Sequence, residues 1–267
     1  MTDALRYELA RIRTIRSTWW LSLLSLVLGI GISTLLAWAL HHEFSTNGSV
    51  DLEEIGAALA TQLSATDQVP SLISFLMAIV GVFAWGHEYR HGMIRASLTA
   101  VNPRRSLWVA KYLVVGLWVA VVSLVTMAIS ALIGQVILHG YVTVINPTTV
   151  RVVGFQTLYA VLLTWLAMAF TTVTRSQAFA LVTMFLWPLL IESLVFLIFN
   201  IVPQWRDDTD LLRFLPFKAG GRMSSVLGLA DDTFGNPLSP LGATIVFGGI
   251  TVILMAVAFA LFERRDA

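Results

Sequence analysis

Windows of 20 or more mainly apolar residues recur along this chain, and they decide most of what it can fold into. A helical run of that length spans the roughly 30 Å hydrocarbon core of a bilayer. Inside a bilayer every backbone polar group needs an internal partner, so only helices and closed barrels cross it. Barrel strands alternate apolar and polar residues in segments of about ten, and that pattern is absent. Composition agrees, with 57% hydrophobic and 12% charged residues against about a quarter charged in a soluble domain. The fold class is an all-α polytopic membrane protein. A net charge of +1 gives no basis for nucleic-acid binding, and zero Cys excludes disulfides, thiol catalysis and cysteine metal sites.

Six transmembrane helices are expected, at residues 19–40, 71–85, 107–138, 152–173, 178–200 and 241–262. All belong to a single transmembrane domain covering 1–267. The third, at 32 residues, would reach roughly 48 Å and must tilt or project beyond the bilayer. With both termini inside, twelve of the seventeen Lys/Arg residues fall on the cytoplasmic side. The positive-inside rule therefore makes both termini cytoplasmic, in a bacterial-type plasma (inner) membrane.

Three pieces outside the spans carry structure. Residues 1–18 hold Leu5, Leu9, Ile12 and Ile15 along one helical side with arginines elsewhere, the pattern of an interfacial helix or of an ordinary positive flank. On the outer side, Asp51, Glu53 and Glu54 open a short helix whose stripe is Leu52, Ile55, Leu59 and Leu63, read as a packing element. Residues 201–240 form the longest connection, broken by Pro216 and by Gly220 and Gly221. Its pieces are too short to span and too apolar to float, so they read as a re-entrant outer segment before the last span.

Residues 86–106 are a polar, basic island between two apolar runs. Helical spacing aligns His87, His91, Arg95, Thr99 and Asn102, and Pro103 ends the helix at Asn102. His87 and His91 at i, i+4 lack a third ligand and lie beside arginines, so no metal site is expected. The island instead suits anionic membrane lipids and a docking helix for a soluble partner, two roles that are compatible.

Glu88-Tyr89-Arg90-His91-Gly92-Met93-Ile94-Arg95, followed by Asn102-Pro103-Arg104-Arg105 and Ala110-Lys111, resembles the loop of ATP-binding-cassette exporter permeases of type 2. In that family a Glu, a small-residue step, a helix, Pro-x-Arg and a Lys follow the second span. Glu88, Gly92, Pro103, Arg105 and Lys111 match those places, while Met93 replaces the usual Thr. The closing Phe262-Glu263-Arg264-Arg265-Asp266 is similar to the family's ending. The resemblance implies a cytoplasmic coupling helix, docked on a separate ABC ATPase subunit through His87, Glu88, Tyr89, Arg90, His91, Arg95, Asn102, Pro103, Arg104 and Arg105. It also implies a second permease subunit, in a homo- or heterodimer. Lys111 and Lys218 are the only lysines and neither is followed by Ser or Thr, so no phosphate-binding P-loop occurs. No cofactor is expected in this chain; ATP and magnesium would belong to the partner ATPase.

Within the spans, Glu192 lies four residues after Pro188. A carboxylate at that depth faces a cavity or protein interior, and Pro188 kinks its helix. Trp187, Pro188 and Glu192 are therefore candidates for the substrate path or dimer interface, with a hydrogen-bonded structural Glu as the competing reading. Gln135 is expected to bond locally, and Arg175 to anchor a short link. No His-Glu-x-x-His or Gly-x-Ser-x-Gly occurs, so enzyme activity is not expected. The best reading is a permease of an exporter with hydrophobic or amphipathic cargo, such as a drug, peptide antibiotic or lipid. An ion-driven secondary transporter and a non-transporting scaffold or sensor subunit are the alternatives.

Overall fold

The computed structural model describes residues 2–47, 71–94, 99, 104–202, 210–223 and 238–265. Regular structure among them is entirely helical. In chain order these are α1 (Thr2–Thr14), α2 (Arg16–Asn47), α3 (Leu72–Arg90), α4 (Arg104–Ile137), α5 (Pro147–Thr174) and α6 (Gln177–Leu186). A π-helical turn (Trp187–Glu192) joins α6 to α7 (Ser193–Ile201), and α8 (Pro216–Met223) and α9 (Pro240–Arg265) follow.

Local chemistry explains the boundaries. In α1, Asp3 lies in the first turn and Arg11 and Arg13 in the last, so each charge opposes the helix dipole end it meets. Ser71 caps α3 by accepting from the Ser74 amide, and Gln156 of α5 donates to both serine hydroxyls. Asn146 accepts from the Thr149 amide at 2.7 Å and precedes Pro147 at the start of α5, where a missing N–H costs nothing. Gln135 bonds locally as expected, accepting from the Val144 and Ile145 amides at 2.8 and 3.1 Å.

Among the described residues, five helical segments are long and apolar enough to cross a membrane: Arg16–Ser45, Arg104–Ile137, Pro147–Thr174, Gln177–Phe199 and Pro240–Arg264. The third expected span appears as one continuous 34-residue helix, α4. The second differs from expectation. α3 does not end at Trp85 but continues to Arg90, and it is largely buried among α2, α4 and α5. A Cβ at Gly81 would lie 2.7 Å from the Thr164 carbonyl oxygen, so α3 and α5 approach to backbone contact as small residues allow between membrane helices. Trp165 fastens α5 to α4 by donating to the Tyr112 carbonyl at 3.0 Å, and Trp118 fastens α4 to α2 through Ser22 at 3.0 Å.

The acidic segment around Asp51 lies outside the described residues. Of the broken segment 201–240, a 3₁₀ turn at 210–214 and α8 are described. α8 buries Phe217, Ala219, Gly220 and Met223 against α5, α9 and the π-turn.

Candidate functional site

At one end of the bundle α1, α3 and α4 meet around four charges. Lys111, in the second turn of α4, has a fully buried side chain, and Glu8 and Glu88 are 2% and 4% exposed. Lys111 Nζ lies 2.5 Å from Glu88 Oε1 and 3.2 Å from Glu8 Oε1. Arg11 Nη1 lies 2.9 Å from Glu8 Oε2 and 3.1 Å from Glu88 Oε1. Both cations also donate to the Ala84 carbonyl, Arg11 at 2.5 Å and Lys111 at 3.4 Å. Two positive and two negative groups cancel. That balance lets them share a site shielded from water, because a lone buried charge would cost several kcal/mol.

Aromatic rings line one side of this cluster. Lys111 Nζ stands 4.4 Å from the Trp85 ring centroid, a cation–π distance. Trp85 in turn packs on Trp108 of α4 and Phe262 of α9, each at 5.3 Å. Arg105, at the start of α4, pairs with Glu263 Oε1 at 2.7 Å. This second, more exposed link ties α9 to the same end.

The chain leaves α3 through a left-handed cap. The Met93 amide donates to the Glu88 carbonyl at 2.9 Å and the Gly92 amide to the Tyr89 carbonyl at 3.4 Å. With Gly92 at φ +65°, this is a Schellman cap, which requires a residue tolerant of the left-handed region. Nothing lies within 4 Å of a Cβ built on Gly92, so a side chain there would add backbone strain and no clash. Gly92→Val should lower stability by about 1–2 kcal/mol and Gly92→Asn by clearly less, read as midpoints of thermal unfolding in detergent. Equal losses would show that the cap conformation is not what Gly92 supplies.

The residues expected from sequence do not form one continuous helical stripe. His87, Glu88, Tyr89 and Arg90 are the last residues of α3, and the chain turns at His91 and Gly92. The unbroken helix from His87 to Asn102 is therefore corrected: glycine's left-handed φ interrupts it. Glu88 turns inward to the charge cluster, whereas Arg90 and His91 face outward. His87 stacks on Phe83 at 4.9 Å. Burial, with Arg11, His91 and Arg90 nearby, holds its imidazole below the usual histidine range. Tyr89 lies 5.9 Å beneath the Arg175 guanidinium. Arg104 opens α4; Arg95, Asn102 and Pro103 lie outside the described residues.

Glu8 and Arg11 were not singled out by sequence. Glu8 shares the buried face of α1 with Ala4 and Ile12, and a carboxylate inside an apolar stripe is the signal that could have found it. Leu9, counted in that stripe, is 38% exposed.

The second expected cluster lies elsewhere. The π-turn places Pro188 and Glu192 in buried positions and packs Trp187 against Phe170 at 5.9 Å. Glu192 Oε1 accepts from the Phe217 amide at 2.7 Å, and Oε2 from the Lys218 amide at 3.0 Å. These are amides of the first turn of α8, so the carboxylate caps that helix from across the bundle. Pro216, just ahead of them, has no N–H to satisfy.

A bundle of span-length helices, with a charge-clamped loop root, defines a multi-pass helical membrane protein. Residues 4–200, about three quarters of the chain, match the family described as ABC-2 family transporter protein, and the chain belongs to that family. It is thus the permease component of an ABC transporter, a membership that implies an ABC ATPase as its partner. No curated protein matches this chain.

Proposed function

We propose that this permease is an exporter subunit driven by a separate ATPase docked on loop 86–106. The observation that carries this reading is the clamped root of the loop. Where the loop leaves α3, Glu88 is held by Lys111 of α4 and Arg11 of α1. Where it enters α4, Arg105 is held by Glu263 of α9. A displacement of the loop would therefore be delivered to four helices at once. Soft roots would dissipate it in side-chain rearrangement.

In this reading α3 is the sixth crossing helix, both termini are cytoplasmic, and the chain resides in a bacterial-type inner membrane. Two permease subunits pair, homo- or heteromeric, and ATP and magnesium are bound by the ATPase subunit. Cargo is hydrophobic or amphipathic. Trp187, Pro188 and Glu192 serve the substrate path or subunit interface, Glu192 acting through the helix it caps. Anionic lipids surround the basic end.

The test is co-purification of the tagged permease with its ATPase subunit. Reversing Arg90 and Arg104 to Glu leaves the buried cluster untouched and should cut ATPase recovery at least about tenfold, given hot-spot losses of 2 kcal/mol or more. Undiminished recovery, with ATPase activity still stimulated by substrate, would overturn docking on this loop.

A further inference from the structure

The two-residue link between α5 and α6 borders a cavity of about 590 Å³ lined by Arg90, Arg175, Ser176, Gln177, Ala178 and Leu181. We infer that this cavity binds the headgroup of an anionic phospholipid, with its phosphate between Arg90 and Arg175 and its acyl chain along α6. The inference deepens the lipid contacts proposed above and shares Arg90 with the docking loop, but it rests on membrane insertion and not on the direction of transport.

Placement comes first. α5 and the helical run beginning at Gln177 are each long enough to cross a membrane, and only Arg175 and Ser176 separate them. So short a link between two crossing helices must lie at a membrane face, at headgroup depth, whichever way the chain is oriented. Basic pockets between helices at that depth suit acidic lipid headgroups.

The lining has two characters. Arg90, Arg175, Ser176 and Gln177 make a polar rim, and Ala178 and Leu181 an apolar floor. Along α6 the floor continues through Val182 and Phe185, which lie on the same helical side and are 53% and 51% exposed. Phe185 meets Phe75 of α3 at 5.7 Å, so a chain lying there would follow the α3–α6 groove. An acidic peptide would use the rim and have no need of this track. A phospholipid uses both.

Arg175 adds a backbone argument. It caps α5 at φ 53°, its amide donating to the Thr171 carbonyl at 2.8 Å, in a conformation where Gly or Asn is usual. A side chain there costs backbone energy, and this one is a guanidinium held over the Tyr89 ring at the cavity edge. The N-terminus of α6, capped by Ser176, adds the positive end of its dipole.

Native mass spectrometry of the detergent-purified full chain, titrated with phosphatidylglycerol or phosphatidylcholine, tests this. Phosphatidylglycerol should bind roughly 30-fold more tightly, from two cations at a headgroup. Arg90→Gln with Arg175→Gly, which relieves the backbone while removing charge, should abolish that preference. Leu181→Trp keeps both charges, fills the floor and should weaken both lipids. Arg13→Gln with Arg16→Gln, an equal charge loss on the N-terminal segment, should change neither. Equal affinity of the wild type for the two lipids would overturn the proposal, as would a loss in the Arg13/Arg16 control matching that of the Arg90/Arg175 variant. So would an Arg90/Arg175 variant that keeps its lipid preference but loses the ATPase subunit, because the cavity would then belong to protein docking.

Discussion

Replacing Lys111 with methionine will destabilise the protein by about 3–5 kcal/mol, the cost of breaking a buried ion pair from one side. Methionine is unbranched, like the stem it replaces, and can fill the space beside Trp85, so the loss comes from charge. Glu8 and Glu88 would remain, 2% and 4% exposed, facing Arg11 alone. The site would carry a net negative charge with little access to water. The midpoint of thermal aggregation in detergent should fall on the order of 10 °C, at 2–4 °C per kcal/mol for a chain of this size. An unchanged midpoint would mean that the four charges contribute nothing to holding α1, α3 and α4 together.

A second substitution separates charge balance from shape. Adding Glu88→Gln to Lys111→Met leaves Arg11 and Glu8, which already pair at 2.9 Å, and restores neutrality. The double variant should therefore be more stable than the sum of the two single losses predicts, and more stable than Lys111→Met alone. Contacting residues of one network couple by 0.5–3 kcal/mol. Simple additivity would show that the residues act independently and that the cluster is not one unit.

What the sequence could and could not disclose follows from where the partners lie. The long helices were legible because bilayer thickness sets their length: expected spans 107–138 and 241–262 became Arg104–Ile137 and Pro240–Arg265. The span expected at 71–85 stops short of the end of α3 because hydropathy drops at Gly86, His87 and Glu88 while the helix continues. What holds Glu88 inside the bundle is tertiary, since its Oε1 pairs with Lys111 and Arg11, 23 and 77 positions away. Family resemblance singled out Glu88 and Lys111, but nothing local links either to Glu8. Glu192 stood out because an ionisable group in an apolar run is costly. Its partners, two backbone amides of α8, leave no mark in a residue pattern.

Those two amides set the other large effect. Replacing Glu192 with alanine will undock α8, because the Phe217 and Lys218 amides then lose their acceptors at 2.7 and 3.0 Å. Hydrogen bonds to a charged group contribute about 1.5–3 kcal/mol each, and the favourable charge at the helix N-terminus goes with them. The chain has no cysteine, so one introduced at Ala219, 1% exposed on the buried side of α8, reports docking directly. Maleimide should label Ala219→Cys slowly in the parent and at least about tenfold faster with Glu192→Ala, as expected once docking weakens by more than 1.4 kcal/mol. Gly220→Val supplies an independent route to the same state, since its Cβ would lie 2.6 Å from Tyr159 Cε2 and 3.3 Å from Phe247 Cδ2. If both substitutions act by releasing α8, combining them should cost little more than the worse one alone, because a helix already released cannot be released again. Fully additive losses, or labelling unchanged by Glu192→Ala, would instead make Glu192 a residue whose role is not to hold α8.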